Sequence, residues 1–454
     1  MSPRPPRLAA LAALCALGCA GGPVAPPTVG ELLGENAFLT PIDAPASVAA
    51  ATGPGTFSTT PESCGACHTD HLAEWAPSSH AQAVHDAQFV AELAKPGQPR
   101  WLCLNCHAPT AVQRAERITL DTRFAEVGST AALQAEKNPE HEAGRIGEGV
   151  GCATCHVRRD EDGVGTVVGP RGSGRAPHRV RADRAALTAV CDRCHAPVDD
   201  PLAYAVNPSL PCWFTTREEL AGGPEAGRSC VDCHMPEVER SAAVGAPVVA
   251  LKRHGWAGGG IPKHAEGYAS LVARGWRLGM DVAVATEPLA VTLTNTAGHA
   301  VPTADPERFL RVEARYEDDA GAVLARDTLR IGQTWDFGDG TPAHPARRVA
   351  DDRLQAGATR QWTPPVARPP GAARLVVTVQ HIRVTEENAA ALDAAAPDAE
   401  LSALWPQFPA ELRLAYPRLS YVYRETVDLR TGARTLATPE ELAAASLAVL
   451  RAGG

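Results

Sequence analysis

With 454 residues the chain is too long for one ordinary hydrophobic core, so two or three domains are expected. Its formal net charge of -9, from 43 Lys and Arg against 52 Asp and Glu, argues against a nucleic-acid partner and leaves no basic patch for anionic lipid. Aromatic residues make up only 5%, low for a chain of this size, while 13 cysteines call for a specific chemistry.

At the N-terminus Arg4 and Arg7 precede an apolar stretch from Leu8 to Leu17. That stretch suits a signal-peptide core and is too short to span a bilayer, so export is expected. The tetrapeptide Ala16-Leu17-Gly18-Cys19 resembles the lipobox of bacterial lipoproteins. The resemblance implies cleavage before Cys19, lipidation of that cysteine, and a periplasmic or outer-membrane location. Ordinary signal-peptidase cleavage near Gly22 is the alternative. After the leader (1–19), residues 20–60 are rich in Pro, Gly, Ala and Thr and read as a flexible linker between anchor and domain.

Five copies of Cys-x-x-Cys-His follow: Cys64, Cys67 and His68; Cys103, Cys106 and His107; Cys152, Cys155 and His156; Cys191, Cys194 and His195; Cys230, Cys233 and His234. Two cysteines three residues apart lie one helical turn from each other, so both can form thioethers to one porphyrin. The next histidine then reaches the iron as proximal ligand. A zinc reading pairs such units into four-ligand sites, and five units leave one over. A redox dithiol needs one motif opening a helix, not five in series. Five covalently attached haem c groups are therefore expected. A disulfide framework is excluded for want of partners, since outside the motifs only Cys15, Cys19 and Cys212 remain; Cys212 reads as a small buried apolar residue rather than an iron ligand. Motif starts at 64, 103, 152, 191 and 230 are separated by 39, 49, 39 and 39 residues, a hint of duplication that coincidence explains equally well. The haem region (61–275) should be loops and short helices, with a helical pattern from Leu72 to Leu93. Porphyrins would supply much of its missing apolar core.

The second axial ligand decides the chemistry. Met1 lies in the leader, Met235 is badly placed to reach the far face of its own haem, and Met280 is the remaining methionine. Ten non-motif histidines compete for five positions: His71, His80, His85, His141, His178, His254, His264, His299, His344 and His381. Histidine on both faces gives low-potential, low-spin haems with no open face.

Trp75-Ala-Pro-Ser-Ser-His80-Ala resembles the W-x-x-S-x-H-A signature of the multihaem cytochrome c-554 family and its octahaem reductase relatives. Gly149-Val-Gly-Cys152 to His156 resembles that family's G-V-x-C-x-x-C-H, and Cys230 to Pro236 its C-x-x-C-H-M-P. The resemblance covers about 200 residues and implies that His80 is a distal ligand. Arg253-His254-Gly-Trp-Ala-Gly-Gly is similar to the short H-x-x-x-G-G stretch that caps another haem. The distal candidates are thus His80, His254, His299, His178 and His264.

Beyond Met280 the pattern changes to alternation. Leu289, Val291 and Leu293, then Leu310, Val312, Ala314 and Tyr316, then Leu375, Val377 and Val379 mark strands, with a turn at Asp318 to Gly321. A small antiparallel β-sandwich over 280–385 is expected. Asn295-Thr-Ala-Gly298-His299-Ala-Val-Pro302-Thr303 resembles a loop of sandwich domains fused to multihaem cytochromes, which places His299 where it could cap a haem; a turn stabiliser is the other reading. His381 reads as a packed strand residue. Residues 386–454 read as a C-terminal helical extension with an apolar helix from Pro439 to Leu450.

The expected fold class is α+β multidomain, a loop-rich, mainly short-helix multihaem domain followed by the sandwich. The expected function is an exported pentahaem electron carrier between redox partner proteins, with the question of enzymatic activity left open, held at a membrane by its lipid. The alternatives are a reductase of a small nitrogen or sulfur oxyanion and a subunit of a conducting filament.

Overall fold

The computed structural model describes residues 40–85, 87–94, 100–120, 133–172, 174–196, 215–256, 279–338, 343–344, 346–394 and 418–451. The chain is α+β: a half made of short helices and small sheets, then a half dominated by antiparallel strands.

The first described residues are not a free tether. Strands β1 (Ser47–Ala49) and β2 (Thr56–Ser58) pair antiparallel. Ile42, Ala44 and Val48 are buried against Ala153 and Val157 of the third motif region. The linker expectation for 20–60 is corrected over this stretch, because apolar side chains hidden among polar and small neighbours give it a core to join. Helix α1 (Pro61–Gly65) starts where the Thr60 hydroxyl accepts the Ser63 N–H and proline occupies the first turn. Helix α2 (Thr69–Trp75) follows. The single helix expected from Leu72 to Leu93 is broken: Pro77 cannot extend the hydrogen-bond ladder, the chain turns through 76–84, and α3 (Ala87–Ala94) begins afresh.

Helix α4 (Arg100–His107) leads to the antiparallel pair β3 (Glu116–Leu120) and β4 (Leu133–Lys137). Helix α5 (Cys152–His156) runs directly into a three-stranded sheet of β5 (Val157–Arg159), β6 (Gly165–Gly169) and β7 (Val180–Ala182). A Cβ on Gly165 would lie 2.1 Å from the Ser47 carbonyl oxygen, so only glycine lets the N-terminal segment pack on β6. Asp183 caps α6 (Arg184–Ala189), and α7 (Asp192–His195), α8 (Thr216–Gly222) and α9 (Cys230–His234) follow, before the hairpin of β8 (Glu237–Ser241) and β9 (Val248–Lys252).

The second half is a sandwich. β10 (Met280–Thr286), β11 (Leu289–Asn295) and β15 (Thr359–Trp362) form one sheet. The other runs β14 (Arg347–Asp351), β13 (Val323–Asp336), β12 (Phe309–Glu317), β16 (Arg374–Ile382), β17 (Leu419–Asp428) and β18 (Arg434–Leu436). The alternating residues read from sequence interdigitate between the sheets: Val291 and Leu293 meet Leu310, Val312, Leu375, Val377 and Val379. His381 is buried on β16, opposite Leu310 and Ser420. Residues 386–454 are more than a helical extension, since β17 and β18 complete the larger sheet. Helix α10 (Glu386–Ala394) precedes them, and α11 (Pro439–Arg451) packs on β17, where Ser446 Oγ accepts the Tyr421 N–H at 2.8 Å. Among the described residues no helix is long and apolar enough to cross a membrane.

Candidate functional site

Each Cys-x-x-Cys-His string sits on a helix or closes one. In the first motif the His68 N–H donates to the Cys64 carbonyl at 2.9 Å, and in the fourth His195 N–H donates to Cys191 at 3.0 Å. This α-turn brings both sulfurs and the imidazole to one side of the chain. None of the ten motif cysteines is in a disulfide. Thiols of different motifs touch: Cys64 with Cys152, Cys106 with Cys194, and Cys191 with Cys230.

The ten cysteines are not equally covered by the polypeptide. Cys67 and Cys233, the second cysteines of the first and fifth motifs, are exposed, whereas the other eight are half-buried. Cys67 and Cys233 thus depart from the partial cover that the other eight share. The physical reason is that a thioether bond asks for reach to the porphyrin edge, which the one-turn spacing supplies, and not for a protein wall behind the sulfur. Cys67 lies just past the end of α1, and Cys233 in the last turn of the five-residue α9, both short helices with no buried cysteine.

The motif histidines are oriented from behind. Backbone carbonyls accept the Nδ1–H of His68 (Ala242, 2.7 Å), His107 (Ala83, 2.7 Å) and His156 (Val168, 2.9 Å). A carbonyl can only accept, so Nδ1 carries the proton and Nε2 keeps its lone pair for a metal. His254, His299 and His178 are held in the same way by the carbonyls of Lys252 (2.9 Å), Ala300 (3.0 Å) and Arg179 (3.3 Å). His80 differs, its Nδ1 being buried without a hydrogen-bond partner among the described residues. Burial favours the neutral form, the one that binds metal, at four of the histidines: His80 is pushed down to about 3 and His195 to about 4, and His156 and His254 shift the same way.

Two imidazoles that bind one metal from opposite sides, each through a nitrogen about 2 Å away, bring their ring centroids to roughly 6 Å. His68 and His71, 5.9 Å apart, are only three residues from each other, and four pairs that join a motif histidine to one distant in the chain meet this test. The centroids lie 6.4 Å apart for His68 and His178, 6.2 Å for His195 and His80, 6.0 Å for His156 and His254, and 6.3 Å for His234 and His299. The residues therefore fit haem. Beside His107 lies the Phe89 ring, stacked at 3.8 Å. His71 sits between sites, 5.9 Å from His68 and 4.7 Å from His254. His264, Cys19 and Cys212 lie outside the described residues.

The two signatures read separately in sequence interlock in space. Val150 donates its N–H to the His80 carbonyl at 3.0 Å and accepts the Trp75 indole N–H at 2.9 Å. Gly149, at φ +57°, is obligatory there, since a Cβ would lie 2.7 Å from the His80 oxygen. Two buried carboxylates, unremarkable in sequence, pin the other loops. Glu74 accepts the backbone N–H of His254 at 2.7 Å and pairs with Arg240 at 2.9 Å. Glu219 of α8 reaches the sandwich, accepting the Ala300 N–H at 3.1 Å and pairing with Arg353 at 2.6 Å. Neither residue carries a local signal; only the fold brings them to histidine loops far along the chain.

Residues 63–157 match the family model described as cytochrome c554 and c-prime. The fold is similar to the crystal structure of a penta-heme cytochrome c552 from Thermochromatium tepidum, with a TM-score of 0.50 and 20% identity over 82% of this chain and 98% of that one. No curated protein matches the sequence. The family match spans the first three Cys-x-x-Cys-His motifs and the fold is shared with a multihaem cytochrome, so the chain is similar to multihaem c-type cytochromes, with the cytochrome c554 likeness carried by residues 63–157.

Proposed function

We propose that the protein is an exported carrier holding five haem c groups and passing electrons between redox partner proteins. The observation that carries the reading is the set of four imidazole pairs spaced at 6.0 to 6.4 Å. In it the ten motif cysteines, the exposed Cys67 and Cys233 included, are the thioether donors, and His68, His107, His156, His195 and His234 the proximal ligands. His178, His254, His80 and His299 are the distal partners of His68, His156, His195 and His234 in that order. Haem iron supplies one-electron chemistry whose potential follows its axial ligands and burial.

The polypeptide's share is positioning. Carbonyls behind the imidazoles fix the tautomer. The thiol contacts support an order of sites in which the first adjoins the third, the second adjoins the fourth, and the fourth adjoins the fifth. Cys194 lies near enough to Cys155 to affect its ionisation, which supports adjacency of the third and fourth. A line from the first site through the third and fourth to the fifth suits a conductor rather than a single reaction centre.

Carbon monoxide separates carrier from enzyme. The reduced protein is expected to bind little of it, and to reduce nitrite or hydroxylamine no faster than free haem peptide. Stoichiometric binding together with fast nitrite turnover would replace the carrier with a reductase.

A further inference from the structure

We infer that Trp256 is a positioning residue shared by two haem sites, its indole setting the ring planes of His80 and His254 at once. The inference rests on the ligand pairing proposed above and assigns a role to a residue that binds no metal.

The indole stands edge-on to both imidazoles. Its centroid is 4.7 Å from that of His80, with the planes at 72°, and 5.4 Å from that of His254, at 82°. Both are the T-shaped arrangement that aromatic rings prefer, in which the positive edge of one ring meets the negative face of the other. His80 pairs with His195 and His254 with His156, so one side chain touches ligands of the third and fourth sites.

His80 needs such a support. Six other imidazoles in the array have a carbonyl on Nδ1 that limits ring rotation, whereas the buried Nδ1 of His80 has no hydrogen-bond partner among the described residues. Among its ring neighbours the indole is the nearer, at 4.7 Å against 6.2 Å for His195, and packing against it restrains the imidazole. For His254 the Lys252 carbonyl holds one edge of the ring and Glu74 holds its backbone N–H, and the indole closes the other side.

The backbone carries a second, independent sign. Trp256 has φ +43°, and among the described residues only Ala304 shares a positive φ without being glycine. A bulky residue in the left-handed region is disfavoured by its own Cβ, and Gly255 beside it shows that the segment has glycine at hand. Strain of this kind persists where the surroundings over-determine it, and it marks functional constraint. Here the side chain explains it: the indole reaches between the two imidazoles from this backbone conformation.

The orientation of an axial imidazole plane sets the splitting of the ferric d orbitals, and so the largest g value in electron paramagnetic resonance. The test uses the full-length, fully haem-loaded protein with the variants Trp256→Leu, Trp256→Phe, His80→Ala and His254→Ala. Trp256→Leu is expected to shift two low-spin signals, the same two that His80→Ala and His254→Ala each remove, and to leave the others in place. Trp256→Phe, which keeps an aromatic edge, should shift both less. A Leu variant that moves no signal, only one, or all alike overturns the shared positioning role. If either histidine variant fails to convert one low-spin haem to high spin, the ligand pairing itself is wrong, an outcome distinguishable from the first. Should the Leu variant fail to fold by far-ultraviolet circular dichroism, the Phe variant decides alone: two matching shifts support the role, and any other pattern overturns it.

Discussion

Replacing Glu219 by alanine should loosen the sandwich from the haem-binding half at a measurable cost. The carboxylate accepts hydrogen bonds from the Ala300 N–H and the Thr303 hydroxyl, each at 3.1 Å, and from the Thr215 hydroxyl at 2.7 Å. It also pairs with Arg353 at 2.6 Å, the two side chains being 9% and 5% exposed. Removing one partner of a buried ion pair costs about 3–5 kcal/mol when the other charge is left alone. Arg353 is not left alone, because Asp351 stays 2.8 Å from it. The loss then approaches that of hydrogen bonds to a charged acceptor, about 2–3 kcal/mol in total. Glu219→Gln, which can still accept the Ala300 N–H, should lose less. Denaturant unfolding followed by far-ultraviolet circular dichroism measures both, with the dependence on denaturant unchanged if only stability is altered. A loss below about 0.5 kcal/mol for the alanine variant, the range of an ordinary surface change, would refute the clamp.

Three further outcomes are expected. His80→Ala, His254→Ala and His299→Ala should each open one haem to carbon monoxide, read as a stoichiometric change in the reduced spectrum; no change in any of them would sink the pairing. Burial raises Glu148 from 4.5 to about 7 against the pull of Arg145, so the folded state holds a proton that the unfolded chain has released between those values. Stability should therefore fall as pH rises through that window, and Glu148→Gln should flatten the profile. If Cys19 carries the lipid that its leader implies, Cys19→Ala should release the protein from membranes without altering haem content; unchanged membrane association would remove the anchor.

The attachment motifs were legible because thioether chemistry forces both sulfurs and the proximal nitrogen into five consecutive residues. How far each is covered was not, since the spacing that identifies Cys67 and Cys233 carries no information on their exposure. The sandwich strands showed through period-two alternation, as at Leu289, Val291 and Leu293. What escaped was non-local. His80 stood out by resemblance to a family signature, yet its approach to within 6.2 Å of His195, 115 residues later, depends on how the third-motif loop threads past Trp75. Glu74 and Glu219 look like ordinary helix-surface acids until burial and an arginine partner reveal them. Two misreadings had signals to correct them. Ile42, Ala44 and Val48 are apolar positions in a stretch whose Pro and Gly content suggests a linker, and the β-branched and aromatic run Leu419 to Val427 is a strand signal overshadowed by the helix after it.

The mass of the mature protein after acid denaturation tests the central claim most directly. Thioether-bound haem survives denaturation, so a chain matured in a competent host should carry five haem increments, one for each Cys-x-x-Cys-His. Four or fewer would show that at least one motif is not an attachment site, and the line of sites from the first to the fifth would have to be redrawn.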